Sequence, residues 1–214
     1  MKVGTVPAKA DPAEQAKFLE AELRPQLDQA ERGKRSALFV DAAHFVFGPY
    51  LGHLWCLVRM LIKGPSGRKR YNVLGALDAV THRVITVAND SYINAESVCE
   101  LLRRVAKAGL PGPITLVMDN ARYQRCELVQ ALARQLRIEL LFLPSYSPNL
   151  NLIERVWKFV KKEALASKDF GSYEAFGEAI EDCLGRLSTR YKAEMDTLLT
   201  LNFQLFDDVP LLSA

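Results

Sequence analysis

A mixed α/β sheet covered by helices on both faces is the fold class this sequence predicts, with a helical segment in front and further helices behind. Three observations carry it. Apolar runs of strand length recur at residues 36–40, 71–77, 83–87, 114–118 and 138–143. Between the later runs the apolar residues change to helical spacing. The order, several strands and then helix and strand in alternation, is that of sheets whose helices lie on both faces.

Composition sets the outer bounds. The chain has 214 residues, enough for one substantial domain, and its 49% apolar and 25% charged content is globular. No apolar run approaches the roughly 18 residues a membrane span needs, and residues 1–10 hold no signal-peptide core. A cytoplasmic location is expected. Cys56, Cys99, Cys126 and Cys183 form no C-x-x-C pair, which reads as reduced thiols, not a disulfide or zinc framework. The net charge of +3 is unevenly placed. From Glu174 onward eight acids face Arg186, Arg190 and Lys192, a net of −5, so residues 1–173 carry +8. A polyanion partner for the main body fits this asymmetry, as does an ordinary solvated surface.

Asp11-Pro12-Ala13-Glu14 is a helix start: a capping acid, proline at the first helical position and Glu14 three residues after the cap. Phe18, Leu19 and Leu23 follow at helical spacing, and Pro25, lacking an N–H, requires a kink or restart. This segment, residues 1–35, reads as a lead-in arm. Residues 36–214 read as the main domain with its C-terminal helices.

Ser36–Val40 is a continuous apolar run, hence a buried strand, and Asp41 ends it. Tyr50–Met60, with His53 and Trp55, reads as another strand. Lys63 to Arg70 is a Gly- and Pro-containing loop in which Lys63, Arg68, Lys69 and Arg70 are placed to touch phosphates or merely to stay solvated. Tyr71–Leu77 and Arg83–Val87 bracket Asp78 to His82 as a hairpin. Asn94 caps a helix that stops at Gly109. Ile114–Met118 is a strand ended by Asp119-Asn120, Glu127–Leu136 a helix and Ile138–Leu143 the last strand. Asn151 is placed to cap a helix whose buried stripe is Ile153, Val156, Trp157, Val160 and Ala164. Glu154, Lys158, Lys161 and Lys162 lie beside that stripe. Further helices are expected from about Ser172 and from about Lys192.

Ligands of such sheets bind beyond the carboxyl ends of the strands, where Asp41 and Asp119 sit. Glu154, with 34 residues between it and Asp119, is in the first turn of a helix. Three carboxylates at such positions suit Mg²⁺ or Mn²⁺, which take hard oxygen ligands. A pair of such ions stabilises both the attacking and the leaving oxygen of a phosphodiester. Asp41 is assigned between the ions, with Asp119 and Glu154 outside. Each acid also has a local reading: a turn bond for a strand-ending Asp, a dipole or Lys158 pairing for Glu154. Asp78 and Asp90 are the rival acids, and Asp78 is placed in the hairpin turn. His44 and Asn120 are accessory candidates. Tyr146 is either a loop anchor or a DNA contact, and Trp157 is read as core.

Val40-Asp41-Ala42-Ala43-His44-Phe45, Met118-Asp119-Asn120-Ala121 and Leu143 through Lys158 resemble the three signature blocks of mariner-like insertion-sequence transposases of the DDE type. The resemblance covers roughly residues 36–165, and its third block is the most specific. It implies a ribonuclease-H-like fold with Asp41, Asp119 and Glu154 as the metal-holding acids. It also implies cleavage of DNA at transposon ends and strand transfer into target DNA, in cut-and-paste movement into TA dinucleotides. Arg155, Lys158, Lys161, Lys162 and Tyr146, with the basic loop, are the DNA-binding candidates. Gln124 and Leu152 stand where the family often has His and Pro. Family members also carry N-terminal helix-turn-helix modules, whereas only a helical arm precedes Asp41. A catalytic half, a truncated copy and the downstream product of a split reading frame all fit. The expected partners are DNA, a second copy of the chain in the active complex, and a separate helix-turn-helix chain; when bound to DNA the protein is nucleoid-associated. The competing readings are an inactive remnant that regulates by binding DNA or by dimerising, and a ribonuclease-H-like nuclease with another role.

Overall fold

The computed structural model describes residues 9–48, 50 and 68–205. Residues 51–67, with most of the Tyr50–Met60 strand, His53, Trp55, Cys56 and Lys63, lie outside the described residues.

Asp11 caps α1 (Pro12–Phe18) by accepting from the Glu14 N–H at 3.1 Å. A π-helical turn, Leu19–Leu23, then leads into α2 (Arg24–Glu31). Pro25 therefore stands in the first turn of a restarted helix, where its missing N–H costs least. Phe18, Leu19, Leu23, Leu27 and Ala30 are buried in the same cluster as the sheet residues Ala37 and Phe39. The lead-in segment thus packs on the sheet along its length.

The sheet has five strands in the order β3-β2-β1-β4-β5. They are β1 (Ser36–Val46), β2 (Arg70–Asp78), β3 (Val84–Asn89), β4 (Ile114–Met118) and β5 (Ile138–Phe142). The first three pair antiparallel, while β4 pairs parallel with both β1 and β5. Asp78 closes the β2–β3 hairpin by accepting from the Val80 and Thr81 N–H groups at 2.9 and 2.7 Å. Asn94 and Ser97 form a reciprocal capping box at the start of α3 (Ala95–Lys107).

Strand residues alternate between two cores. Phe39, Ala43, Phe45, Val73, Leu77 and Val117 face α1, α2 and the later helices α5 (Ile153–Val160), α6 (Tyr173–Gly185) and α7 (Lys192–Leu198). Leu38, Val40, Leu74, Ala76, Leu116 and Met118 face α3 and α4 (Glu127–Gln135). Covered on both faces, the strands read as unbroken apolar runs, which is why they stand out in the sequence. No helix among the described residues is long and apolar enough to cross a membrane.

One element differs from expectation in a way that matters for the site. β1 does not end at Asp41. It runs on to Val46 because β2 pairs with it throughout, Asp41 opposite Gly75 and Val46 opposite Arg70. What ends there is the parallel pairing with β4, whose last partners are Val40 and Met118.

Candidate active site

Because Val40 and Met118 are partners, Asp41 and Asp119 are the next residues on two neighbouring parallel strands. Such strands lie about 4.8 Å apart. The chain leaves β5, forms a short 3-10 turn at Pro148–Leu150 and returns as α5 over the same face. Glu154, in the first turn of α5, is carried back toward the two aspartates.

The three carboxyl groups sense one another. Burial is the main cause that pushes Asp41 up to about 7, and Glu154 and Asp119 add to it. Burial likewise raises Asp119, against a hydrogen bond from Asn151 that lowers it. Glu154 is raised by burial and then by Asp119, while Lys158 and Lys161 pull it down. Mutual repulsion among half-buried acids is the condition a divalent cation relieves. Among the described residues no group of three His, Cys, Asp or Glu side chains is placed to hold a metal ion by itself. Mg²⁺ does not need one, since it keeps several waters and takes substrate phosphates as ligands.

These shifts have a consequence for stability. A carboxyl whose folded pKa lies above its ordinary 3.8 favours the fold while protonated. Its unfavourable contribution therefore grows as pH rises from about 4 to about 7 and then levels off. Thermal melts in EDTA are expected to show the wild type falling behind Asp41→Asn between pH 5 and pH 8. Parallel curves across that range would remove the buried, repelled Asp41.

Two side chains expected as a core residue and a helix cap hold the acids. The Trp157 indole N–H donates to Asp41 Oδ2 at 2.9 Å. Trp157 is core, 3% exposed, as expected, but its polar edge is turned to the acid. Asn151 is not the α5 cap, because the cap position is Leu152. Its side chain points back into the sheet instead, donating to the Val40 carbonyl at 3.1 Å and to Asp119 Oδ1 at 3.4 Å. The Tyr123 phenol is also close enough for Asp41 and Asp119 to raise its pKa, after burial as the first cause.

The remaining candidates divide. Lys158, Lys161 and Lys162 are exposed on and just beyond α5. Tyr146, 53% exposed and with φ of 58°, stands at a cleft of about 340 Å³ lined by Asp119, Asn120, Ala121 and residues 144–148. Asn120 is in the same cleft and accepts from Arg125 Nη1 at 2.7 Å. Arg155 is turned elsewhere: its guanidinium donates to the carbonyls of Leu198, Thr200 and Asn202 at 2.8–3.1 Å. It ties the C-terminal segment to α5 and is not free to meet phosphate. His44 falls on the other sheet face from Asp41, since strand residues three apart point oppositely, and its Nδ1 is 2.6 Å from Asn72 Oδ1. It is not brought to the acids. Arg68, Lys69 and Arg70 line a separate cleft of about 800 Å³ that also contains Asp90, Tyr173 and Glu178. Arg70 is about 17 Å along β2 from Gly75, the residue opposite Asp41.

The fold is shared with solved structures. The Mos1 transposase in its paired-end complex with the left transposon end matches 91% of this chain and 66% of its own, at 16% identity and a TM-score of 0.60. The catalytic domain of Mos1 mariner transposase is covered in full, with 94% of this chain, at 14% identity and a TM-score of 0.56. The architecture is thus the ribonuclease-H-like sheet that the signature blocks implied. A Shigella sonnei protein described as the insertion element IS630 uncharacterized 39 kDa protein is 26% identical over 141 residues. That alignment covers 64% of this chain and 41% of the relative, so the chain spans less than half of it. The family model described as DDE superfamily endonuclease matches residues 37–177, which include Asp41, Asp119 and Glu154, and the chain belongs to that family.

Proposed function

We propose that this chain is the catalytic domain of a DDE transposase, which cleaves DNA at transposon ends and joins the freed 3′-hydroxyl to target DNA. The observation that carries it is the placement of Asp41 and Asp119 side by side where β1 and β4 part, with Glu154 brought over them on α5. Asp41, Asp119 and Glu154 would hold Mg²⁺ or Mn²⁺. Such ions, when bound, would supply water activation and charge stabilisation for the leaving oxygen. Mos1 paired-end complexes solved with Mn and with Mg agree with that choice.

The protein's own part is to bind and orient. Trp157 fixes one oxygen of Asp41, which sets the direction of the other. Lys158, Lys161 and Lys162 present positive charge beside Glu154, where a DNA backbone would pass. Phosphate contacts of this kind position the duplex without reading its sequence. A second copy of the chain in the active complex and a helix-turn-helix module, on this or another polypeptide, complete the reading.

Purified protein is expected to nick supercoiled or transposon-end DNA in Mg²⁺ or Mn²⁺ and not in EDTA. DNA binding by this chain should be weak and salt-sensitive, each neutralised phosphate adding about 0.9 to the slope of log affinity against log salt. Nicking that persists in EDTA, or tight binding to one sequence that survives high salt, would overturn the assignment.

A further inference from the structure

We infer that Asn151 is a positioning residue that locks the three acid-bearing segments together. Resting on the function proposed above, this gives a role to a side chain that otherwise reads as a helix cap. Asn151 is 2% exposed. Its Nδ2 donates to the carbonyl of Val40, the residue before Asp41, and to Oδ1 of Asp119 itself. Its backbone carbonyl accepts from the N–H of Glu154 at 3.2 Å. One residue therefore touches β1, the end of β4 and the first turn of α5, each at or next to an acid.

The amide orientation is forced. Val40 O and Asp119 Oδ1 are both acceptors, so only the NH₂ end can face them. The other end follows: Asn151 Oδ1 is buried and has no hydrogen-bond partner among the described residues. Buried side-chain oxygens are ordinarily satisfied. A carboxamide kept with its acceptor idle, and its donors on an acid and on the strand beside another, is arranged for the site and not for the helix end. No other polar side chain of this size does both. Aspartate has no donor, and serine is too short to reach a strand carbonyl and a carboxylate together.

The test uses Asn151→Leu, which keeps the branched heavy-atom shape and removes both bonds, and Asn151→Ser, a shorter polar side chain that cannot reach both acceptors. Two measurements are made on the whole chain. One is Mn²⁺-dependent nicking, resolved into kcat and KM for DNA. The other is Mn²⁺ binding to the protein–DNA complex, read by water-proton relaxation without turnover. Losing a residue that orients a metal ligand typically costs about 10–100-fold in affinity or activity. Both variants should lose kcat in that range with KM within about twofold, and both should bind Mn²⁺ at least about tenfold more weakly. Asn151→Ser with wild-type kcat and Mn²⁺ affinity would show that the two carboxamide bonds are dispensable and overturn the inference. A wild type that does not nick, with Mn²⁺ binding still weakened by Asn151→Leu, would defeat the proposed function and leave the positioning role standing. Should Asn151→Leu fail to fold, Asn151→Ser carries the decision alone.

Discussion

Glu154→Gln and Asp119→Asn are each expected to bring metal-dependent DNA cleavage to background, a loss of at least about 10³-fold or ~4 kcal/mol of transition-state stabilisation. Both changes keep shape and remove one negative charge, so the loss would fall on the field that holds a divalent cation. The ordinary structural explanation of Glu154 is a helical pair with Lys158. Yet the ion pairs of the described residues do not include Glu154. Burial and then Asp119 leave the acid raised on balance, although Lys158 and Lys161 lower its pKa without pairing with it. The expectation therefore has two sides. Cleavage disappears, while the metal-free protein melts no lower, and above pH 7 somewhat higher, because a repelled buried charge has gone. A structural acid would behave in the opposite way, losing stability and keeping cleavage. Asp78→Asn is the control: Asn keeps an oxygen for the Val80 and Thr81 N–H groups. It should cleave normally and lose about 1 kcal/mol, or about 2–4 °C in Tm. Wild-type cleavage by Glu154→Gln, or loss of cleavage with Asp78→Asn alone, would sink the three acids as assigned.

Much of this was legible in the chain because both faces of the sheet are covered, so strands appear as apolar runs and helices as stripes. The acids were legible because they stand next to those runs. The failures share one cause, which is that a neighbour distant in sequence decides them. Asp41 reads as a strand end, but the strand continues through Ala43 and Phe45 because β2 lies beside it to Val46. Arg155 shares the polar side of α5 with Lys158, yet three carbonyls some 45 residues later, in the segment returning across α5, take its guanidinium. Asn151 and Trp157 have the right spacing for a cap and a core stripe. Periodicity reports which face a side chain occupies, not which way its N–H points. His44 illustrates the converse: three residues from an acid in sequence places it on the opposite face of a strand.

The same long-range packing makes Gly75→Ala a damaging change despite its size. Gly75 is the β2 residue opposite Asp41. A Cβ there would stand 2.8 Å from Trp157 Cη2 and 3.0 Å from Ile153 Cδ1. The indole cannot retreat easily, because it is buried and its ring meets Phe45 edge to face at 6.3 Å. Overpacking of this kind costs about 1–3 kcal/mol, offset in part by the about 0.5–1 kcal/mol alanine gains over glycine within a strand. Any shift of the ring also moves its N–H from Asp41 Oδ2, so kcat for cleavage should fall further than stability alone explains. Trp157→Phe separates the two effects. In the Gly75→Ala background the smaller ring makes room for the methyl group, so the double variant should be more stable than the sum of the single changes by about 0.5–3 kcal/mol. Its cleavage should nevertheless stay low, because phenylalanine has no N–H for Asp41. Urea melts of the four proteins give the coupling, and nicking assays give the rest. Additive stabilities, agreeing within about 0.5 kcal/mol, would mean that Gly75 does not make the space for Trp157. Wild-type cleavage by Trp157→Phe would mean that the indole N–H does not set the direction of Asp41.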